Sequence, residues 1–148
     1  RGVSHEIVRH RVASYAQEST RYCNYSSGKH GNEITVIEPS FFKPGTDEYT
    51  AWSRACEFSE YQYMKLIQMG CSPQEARSVL PNSLKTEIVV TMNLREWIHF
   101  FNLRAIGTTG APHPQMKEIA VPLLKAFAEA LPEIYHKQYE QAISGQEE

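Results

Sequence analysis

The sequence predicts an α+β fold, mainly helical with a small sheet, and three observations carry that reading. Apolar side chains recur at helical spacing from Asp47 to Met69, two more helical runs fill the last third of the chain, and the β-branched stretches are few and short.

Taken in order, Val3, Ile7 and Val8 fall within two helical turns and predict a short amphipathic helix from Val3 to Arg9. The polar stretch from Ser14 to Asn32 reads as an extended connection or loop. Ile34, Val36 and Ile37 form a short strand, closed by Pro39 and the Pro44-Gly45 turn. The helix from Asp47 to Met69 ends at Gly70, where a C-terminal cap belongs. Ser72-Pro73-Gln74-Glu75 is a capping box with proline in the first helical position, and it opens a short helix from Pro73 to Leu80. Thr86 to Thr91 suggests a strand, although Leu84 to Arg104 can also be read as one long helix. The preferred reading starts a helix at Asn93 and runs it to about Arg104, because Leu94, Trp97, Ile98 and Phe101 form a stripe. Gly107 to Pro114 is a loop. Helices from Gln115 to Leu131 and from Glu133 to about Ala142 follow, with Pro122 kinking or restarting the first of them.

A chain of 148 residues suits one domain, residues 1–148, and 41% hydrophobic with 22% charged residues is ordinary for a soluble protein. No apolar run approaches the roughly 18 to 20 residues that span a bilayer, and no signal peptide is recognisable, so the cytoplasm is the expected compartment. The three cysteines, Cys23, Cys56 and Cys71, match no zinc or redox spacing and read as small buried hydrophobes. With 15 basic and 17 acidic side chains the net charge is -2, so no broad field recruits nucleic acid and any polyanion must be met locally. The first residue is Arg1 rather than methionine, which suggests the later part of a longer polypeptide.

The local charge is concentrated early. Arg9-His10-Arg11, seven residues, Ser19 and then Arg21 place three guanidinium groups, an imidazole and a hydroxyl in one short stretch. Such groups form charge-assisted hydrogen bonds to phosphate oxygens, and the planar arginine fork matches phosphate bidentately. Arg9 and Arg11, flanking a helix end, project in different directions and suit two anions or two subunits. Ser19 and Arg21 alternate along an extended backbone and can share one side. A solvated basic face is the plain alternative.

A second polar group, Arg77, Asn93, His99 and Arg104, interrupts apolar patterns. Residues 93, 97, 100, 101 and 104 share a broad helical face, which turns Arg104 toward the core. A buried guanidinium is costly alone, so a carboxylate or an anionic ligand should meet it. The six histidines show no metal-binding spacing, and neither a nucleophile elbow, a Gly-x-Gly-x-x-Gly turn nor a phosphate-binding Walker loop occurs. No metal is expected.

These residues resemble the signature of the flavin-dependent thymidylate synthases, the ThyX family: Arg-His-Arg, seven residues, then Ser, here RHRVASYAQES continuing into TRY. ARSVLP (76 to 81), MNLREWIHFFNLR (92 to 104) and HPQMKEI (113 to 119) follow in the family's order. The resemblance implies a ThyX-like fold with a mostly antiparallel small sheet, lacking its N-terminal part. It implies reductive methylation of dUMP to dTMP, with FAD as cofactor, methylenetetrahydrofolate as carbon donor and NADPH as reductant, in a homotetramer with sites between subunits. Carried over by motif, Arg9, His10 and Arg11 would hold FAD, with Asn93, Leu94, Arg95 and His99 lining the flavin and Gln17 near both ligands. Glu6, Arg9, Gln17, Glu18, Ser19, Thr20, Arg21 and Arg77 would bind dUMP. Arg104 would sit against the uracil and favour ionisation of its imide. Gln17 stands where many members have Glu, and the family's N-terminal region, which carries further flavin contacts including a histidine, precedes the signature.

Two other readings compete. One is a non-catalytic nucleotide or single-stranded RNA-binding module in which Arg9, Arg11 and Arg21 track phosphates while Tyr15, Tyr22 and Tyr25 stack on bases. The other is a fragment kept for assembly, able to form a subunit interface but not to react.

Overall fold

The computed structural model describes residues 1–22, 24–25 and 33–144. Cys23 and the 26–32 portion of the expected loop lie outside the described residues. Among the described residues the elements follow in the order α1 (Gly2–Ile7), β1 (Ser14–Gln17), α2 (Asp47–Gln68), α3 (Pro73–Ala76) running into a 3₁₀ turn (Arg77–Val79), β2 (Ile88–Thr91), α4 (Leu94–Phe101) running into a π-turn (Asn102–Ile106), α5 (Pro114–Ala130) and α6 (Pro132–Ser144). β1 and β2 pair as a two-stranded antiparallel sheet, so the fold is mostly helical with a small antiparallel sheet, as the sequence predicts. No helix among the described residues is long and apolar enough to cross a membrane.

The chain divides into two compact units, Arg1–Gly2 with Ala16–Val89, and Val3–Tyr15 with the chain from Val90 onward. In the first unit, α2 starts at Thr46, whose hydroxyl accepts from the Tyr49 N–H at 3.3 Å. It ends where Gly70, at φ +91°, takes the left-handed conformation that any side chain would resist. Gly70 N–H then reaches the Ile67 carbonyl (2.9 Å) and Cys71 N–H the Leu66 carbonyl (3.0 Å), the paired bonds of a Schellman ending. The capping box at Ser72 forms, with the Glu75 carboxylate accepting from the Ser72 N–H at 2.8 Å, but only Pro73–Ala76 is α-helical before the backbone tightens into the 3₁₀ turn. Tyr63 and Leu84 are fully buried and pack with Tyr25, Ile34 and Ala76 as this unit's core. The strand expected over Ile34, Val36 and Ile37 shrinks to a single antiparallel bridge from Val36 to Leu84, flanked by bonds from Ile37 N–H to Ser83 (2.8 Å) and Lys85 N–H to Thr35 (2.8 Å). Cys56 is buried as expected, whereas Cys71 is only half-buried.

The second unit packs α4, the π-turn, α5 and α6 together. Asn93 caps α4 rather than entering it, its side-chain oxygen accepting from the Glu96 N–H at 2.9 Å. Phe100 and Phe101 are buried while Leu94 is 46% exposed, so the core stripe is rotated away from Leu94. Trp97, Phe101, Phe127 and Tyr135 form an aromatic cluster with neighbouring centroids 5.1 to 5.8 Å apart. The Tyr135 hydroxyl donates to the Leu94 carbonyl (2.8 Å), and the Gln138 amide bridges the Ile98 carbonyl (3.0 Å) and the Asn102 side-chain oxygen (2.6 Å). That bridge lies where α4 widens into the π-turn, which closes with Gly107 N–H on the Asn102 carbonyl at 3.0 Å. α5 continues through Pro122.

Gly107, at φ +83°, turns the chain out of the π-turn, and a methyl group there would lie 3.0 Å from Pro112 Cδ and 3.1 Å from the Gly110 carbonyl oxygen. Gly110, at φ +139°, has open space around its missing Cβ. Gly107→Ala is therefore expected to cost about 2 kcal/mol or more, combining backbone strain with a clash, and Gly110→Ala about 1 kcal/mol. Urea unfolding midpoints check this, and equal losses would contradict the tight turn.

Candidate active site

The Arg-His-Arg segment begins where α1 ends. Arg9 N–H reaches the Glu6 carbonyl (3.3 Å) and His10 N–H the Ile7 carbonyl (3.1 Å), a tight ending that turns His10 inward while Arg9 and Arg11 stay exposed. Tyr15, on β1, fastens this turn. Its hydroxyl lies within hydrogen-bond reach of the Ile7 carbonyl (3.0 Å) and the His10 carbonyl, so one phenolic proton serves two acceptors. Burial, and secondarily the Glu96 carboxylate, push the Tyr15 phenol up and keep that proton in place.

His10 is 3% exposed. Its Nε2 accepts from Arg104 Nε at 3.2 Å, and because a guanidinium only donates, the ring proton sits on Nδ1. Nδ1 faces a Glu96 carboxylate oxygen 3.7 Å away, beyond hydrogen-bond distance. The rings of Phe100 and His99 close around it at centroid separations of 4.9 and 5.6 Å. Arg104, on the π-turn, also donates from Nη1 to the Glu6 carboxylate at 2.7 Å and from Nη2 to the Glu6 carbonyl at 3.2 Å. The largely buried guanidinium is thus met by a carboxylate, and three of its five N–H groups are engaged. One N–H on each terminal nitrogen has no partner among the described residues.

Those groups line a cavity of about 480 Å³, walled by Glu6, Arg9, His10, His99, Leu103, Arg104 and the loop from Thr109 to His113. His113 also caps α5, its Nδ1 accepting from the Gln115 N–H at 3.3 Å. Guanidinium and imidazole donors beside the apolar faces of Leu103 and Pro112 suit a flat heteroaromatic ring with carbonyl oxygens. Arg9 lines this cavity and Arg11 does not. Asn93, Leu94 and Arg95 do not line it either: Asn93 spends its oxygen on the cap, the Leu94 carbonyl accepts from Tyr135, and Arg95 is exposed.

The remaining signature residues lie in the first unit. Arg77 donates from Nη1 to the Thr20 hydroxyl at 3.3 Å, with Thr20 7% exposed. Arg21 donates from Nη2 to the Gln74 side-chain oxygen at 3.3 Å, and the Ser19 hydroxyl accepts from the Arg21 N–H at 3.3 Å. Ser19, Thr20, Arg21 and Arg77 therefore gather around α3 and its 3₁₀ turn. Neither arginine forms an ion pair among the described residues, and neutral partners leave both charges available to an anion. Gln17, exposed on β1, donates to the Thr86 hydroxyl at 3.3 Å, and the Glu18 backbone bonds to Glu87 and Arg1. The three tyrosines suggested as base-stacking groups fare differently. Tyr25 is buried against Tyr63 and the Tyr15 hydroxyl is taken up by carbonyls, which leaves Tyr22, 79% exposed beside the Arg21 guanidinium.

Sequence reasoning missed Glu96 and the fastening role of Tyr15. Glu96 is three residues before His99 on α4, a spacing that puts both on one face, so periodicity could have found it. His10, Glu96 and His99 bring one donor atom each within 4.8 Å of one another. The tautomer tells against a cation there, since the His10 lone pair is spent on Arg104 and Nδ1 carries the proton.

Burial, then Arg104 and His99, lower the His10 pKa from 6.5, outweighing Glu96, which raises it. The folded state thus resists protonation while the unfolded chain protonates near the ordinary value. Stability is expected to be full above pH 6.5 and to fall as pH drops through it toward the lowered folded value. His10→Gln should remove that part of the pH dependence in denaturant titrations, and an unchanged slope would contradict a neutral buried His10.

Residues 1–133 match the family described as Thymidylate synthase complementing protein. Among curated relatives, a "Flavin-dependent thymidylate synthase" of Pyrococcus furiosus is 35% identical over 84% of this chain and 49% of its own length, and one of Geobacter sulfurreducens is 33% identical over 91% and 55%. The chain spans about half the length of the curated relatives it matches. A solved UMP/dUMP methylase PolB from Streptomyces cacaoi, bound with 5-Br dUMP, superposes with a TM-score of 0.73 at 23% identity, covering 93% of this chain and 66% of that one. By its sequence over nearly all of its length, the chain belongs to the thymidylate synthase complementing protein family.

Proposed function

We propose that this chain acts in the reductive methylation of dUMP to dTMP, with FAD as cofactor, methylenetetrahydrofolate as carbon donor and NADPH as reductant, as part of a cytoplasmic homotetramer. The observation that carries the reading is Arg104, a largely buried guanidinium on the wall of a cavity, held by Glu6 and His10 with two N–H groups to spare. The relatives' names and the nucleotide named with the Streptomyces cacaoi enzyme support the same substrate.

Arg104 donates to a pyrimidine carbonyl and favours loss of the imide proton, because a cation about 4 Å from a developing anion is worth roughly 4 kcal/mol at an effective dielectric near 20. The Glu6 carboxylate offsets part of that charge. Arg9 and His99, on the same wall, are suited to the carbonyl and phosphate oxygens of FAD, and Arg11, Asn93, Leu94 and Arg95 to parts of it outside the cavity. Bound FAD supplies the redox chemistry, and the protein supplies position and electrostatics. Ser19, Thr20, Arg21 and Arg77 form the phosphate seat, preceded in sequence by Gln17 at the end of β1 and by Glu18. Ser19 has the role of a hydrogen-bonding group, not a nucleophile.

Arg104→Ala is expected to abolish dTMP formation in a reaction supplied with all four small molecules, while flavin absorbance stays with the protein. Retained turnover would remove Arg104 from the chemistry. Ser19→Ala is expected to weaken dUMP binding about fivefold, the worth of roughly 1 kcal/mol, by calorimetric titration. Unaltered affinity with all turnover lost would instead mark a nucleophilic serine.

A further inference from the structure

The way Arg104 is held carries a further inference, one that rests on the reading above that this arginine meets the pyrimidine. The signature resemblance gives His10 a place against flavin, yet the side chain is enclosed. Nε2 takes the Arg104 Nε proton at 3.2 Å, Nδ1 faces Glu96, and the Phe100 and His99 rings lie alongside. At 3% exposure it can offer a ligand very little surface. What it does touch is the guanidinium. Glu6 takes two further N–H groups of the same side chain, one on its carboxylate and one on its backbone carbonyl.

We propose that His10 and Glu6 are positioning residues that fix the Arg104 guanidinium through three of its five N–H groups, and that His10 does so only as a neutral ring accepting at Nε2. An extra proton on His10 must go to Nε2, since Nδ1 already holds one. That change sets N–H against N–H, removes the bond and places two like charges in contact. Arg104 then keeps only its hold on Glu6 and gains freedom to rotate. The groups facing His10 are Arg104 from the π-turn, Glu96 and His99 from α4, Glu6 from α1 through Arg104, and the Tyr15 hydroxyl of β1, which bonds the His10 carbonyl rather than its ring. Glu96 favours the proton while burial, Arg104 and His99 oppose it, and the opposition prevails.

The test uses the whole chain labelled with ¹⁵N, and compares it with His10→Gln, which keeps a pH-insensitive acceptor, and His10→Phe, which keeps a ring but no acceptor. In the unaltered chain the Arg104 Nε–H resonance is expected to be sharp and protected while His10 is neutral, and to broaden as His10 protonates. It should persist at every pH in His10→Gln and be unprotected at every pH in His10→Phe. A second arm titrates dUMP into the same three proteins: affinity should fall roughly tenfold across the His10 titration in the unaltered chain, and stay level in His10→Gln. An Arg104 Nε–H that ignores the protonation of His10, or one equally protected in His10→Phe, overturns the positioning role. Absence of dUMP binding at all pH values overturns the reading that Arg104 meets the pyrimidine and leaves the resonance arm to decide the positioning role by itself.

Discussion

The need to satisfy the Arg104 guanidinium organises the second unit. An arginine on the core-facing side of a helix is tolerated only if acceptors surround it, since a buried unpaired charge costs several kcal/mol. Here the acceptors come from residues about a hundred positions away in sequence, Glu6 and His10. They are in place because α1 ends in a tight turn that Tyr15 fastens from β1. The π-turn on the other side presents the arginine, and Gly107 then folds the chain back to form the opposing loop of the cavity wall. The polar contact therefore joins the beginning of the chain to its second half within one compact unit.

The first unit solves a different electrostatic problem. Arg21 and Arg77 meet a side-chain amide and a hydroxyl, not carboxylates. Neutral partners fix direction without neutralising charge, which is the property an anion seat requires and a structural ion pair lacks. Set beside Arg104, whose charge is already shared with Glu6, the contrast supports the roles proposed for these arginines. Arginines left unpaired suit phosphate. One that is paired but retains spare N–H groups suits a neutral ring that becomes partly anionic.

Much of this was legible in the sequence, for reasons that can be traced residue by residue. The long helix over Asp47–Gln68, its Gly70 ending and the capping box at Ser72 follow from local rules, and local rules decided them. The expectation that a carboxylate or ligand must meet Arg104 followed from burial alone, and Glu6 is that carboxylate. Helical phase is legible only in part: the stripe rightly names Phe101 but also Leu94, which is exposed, and omits Phe100, which is buried, because Asn93 caps the helix and packing against α5 and α6 sets the rotation. The π-turn left no local signal, since its partner in the fold is Gln138, far along the chain. The enclosure of His10 was equally hidden, because motif resemblance assigns a residue to a site without saying whether the side chain faces the ligand or the protein.

Whether Arg104 meets the pyrimidine is decided by a crystal structure of the chain with FAD and 5-bromo-dUMP, with the bromine located by its anomalous signal. The pyrimidine is expected in the second unit's cavity, with a ring carbonyl oxygen within about 3.2 Å of an Arg104 terminal nitrogen and Arg104 still bonded to Glu6 and His10. A pyrimidine bound elsewhere, with Arg104 unchanged and touching no ligand, would contradict that reading.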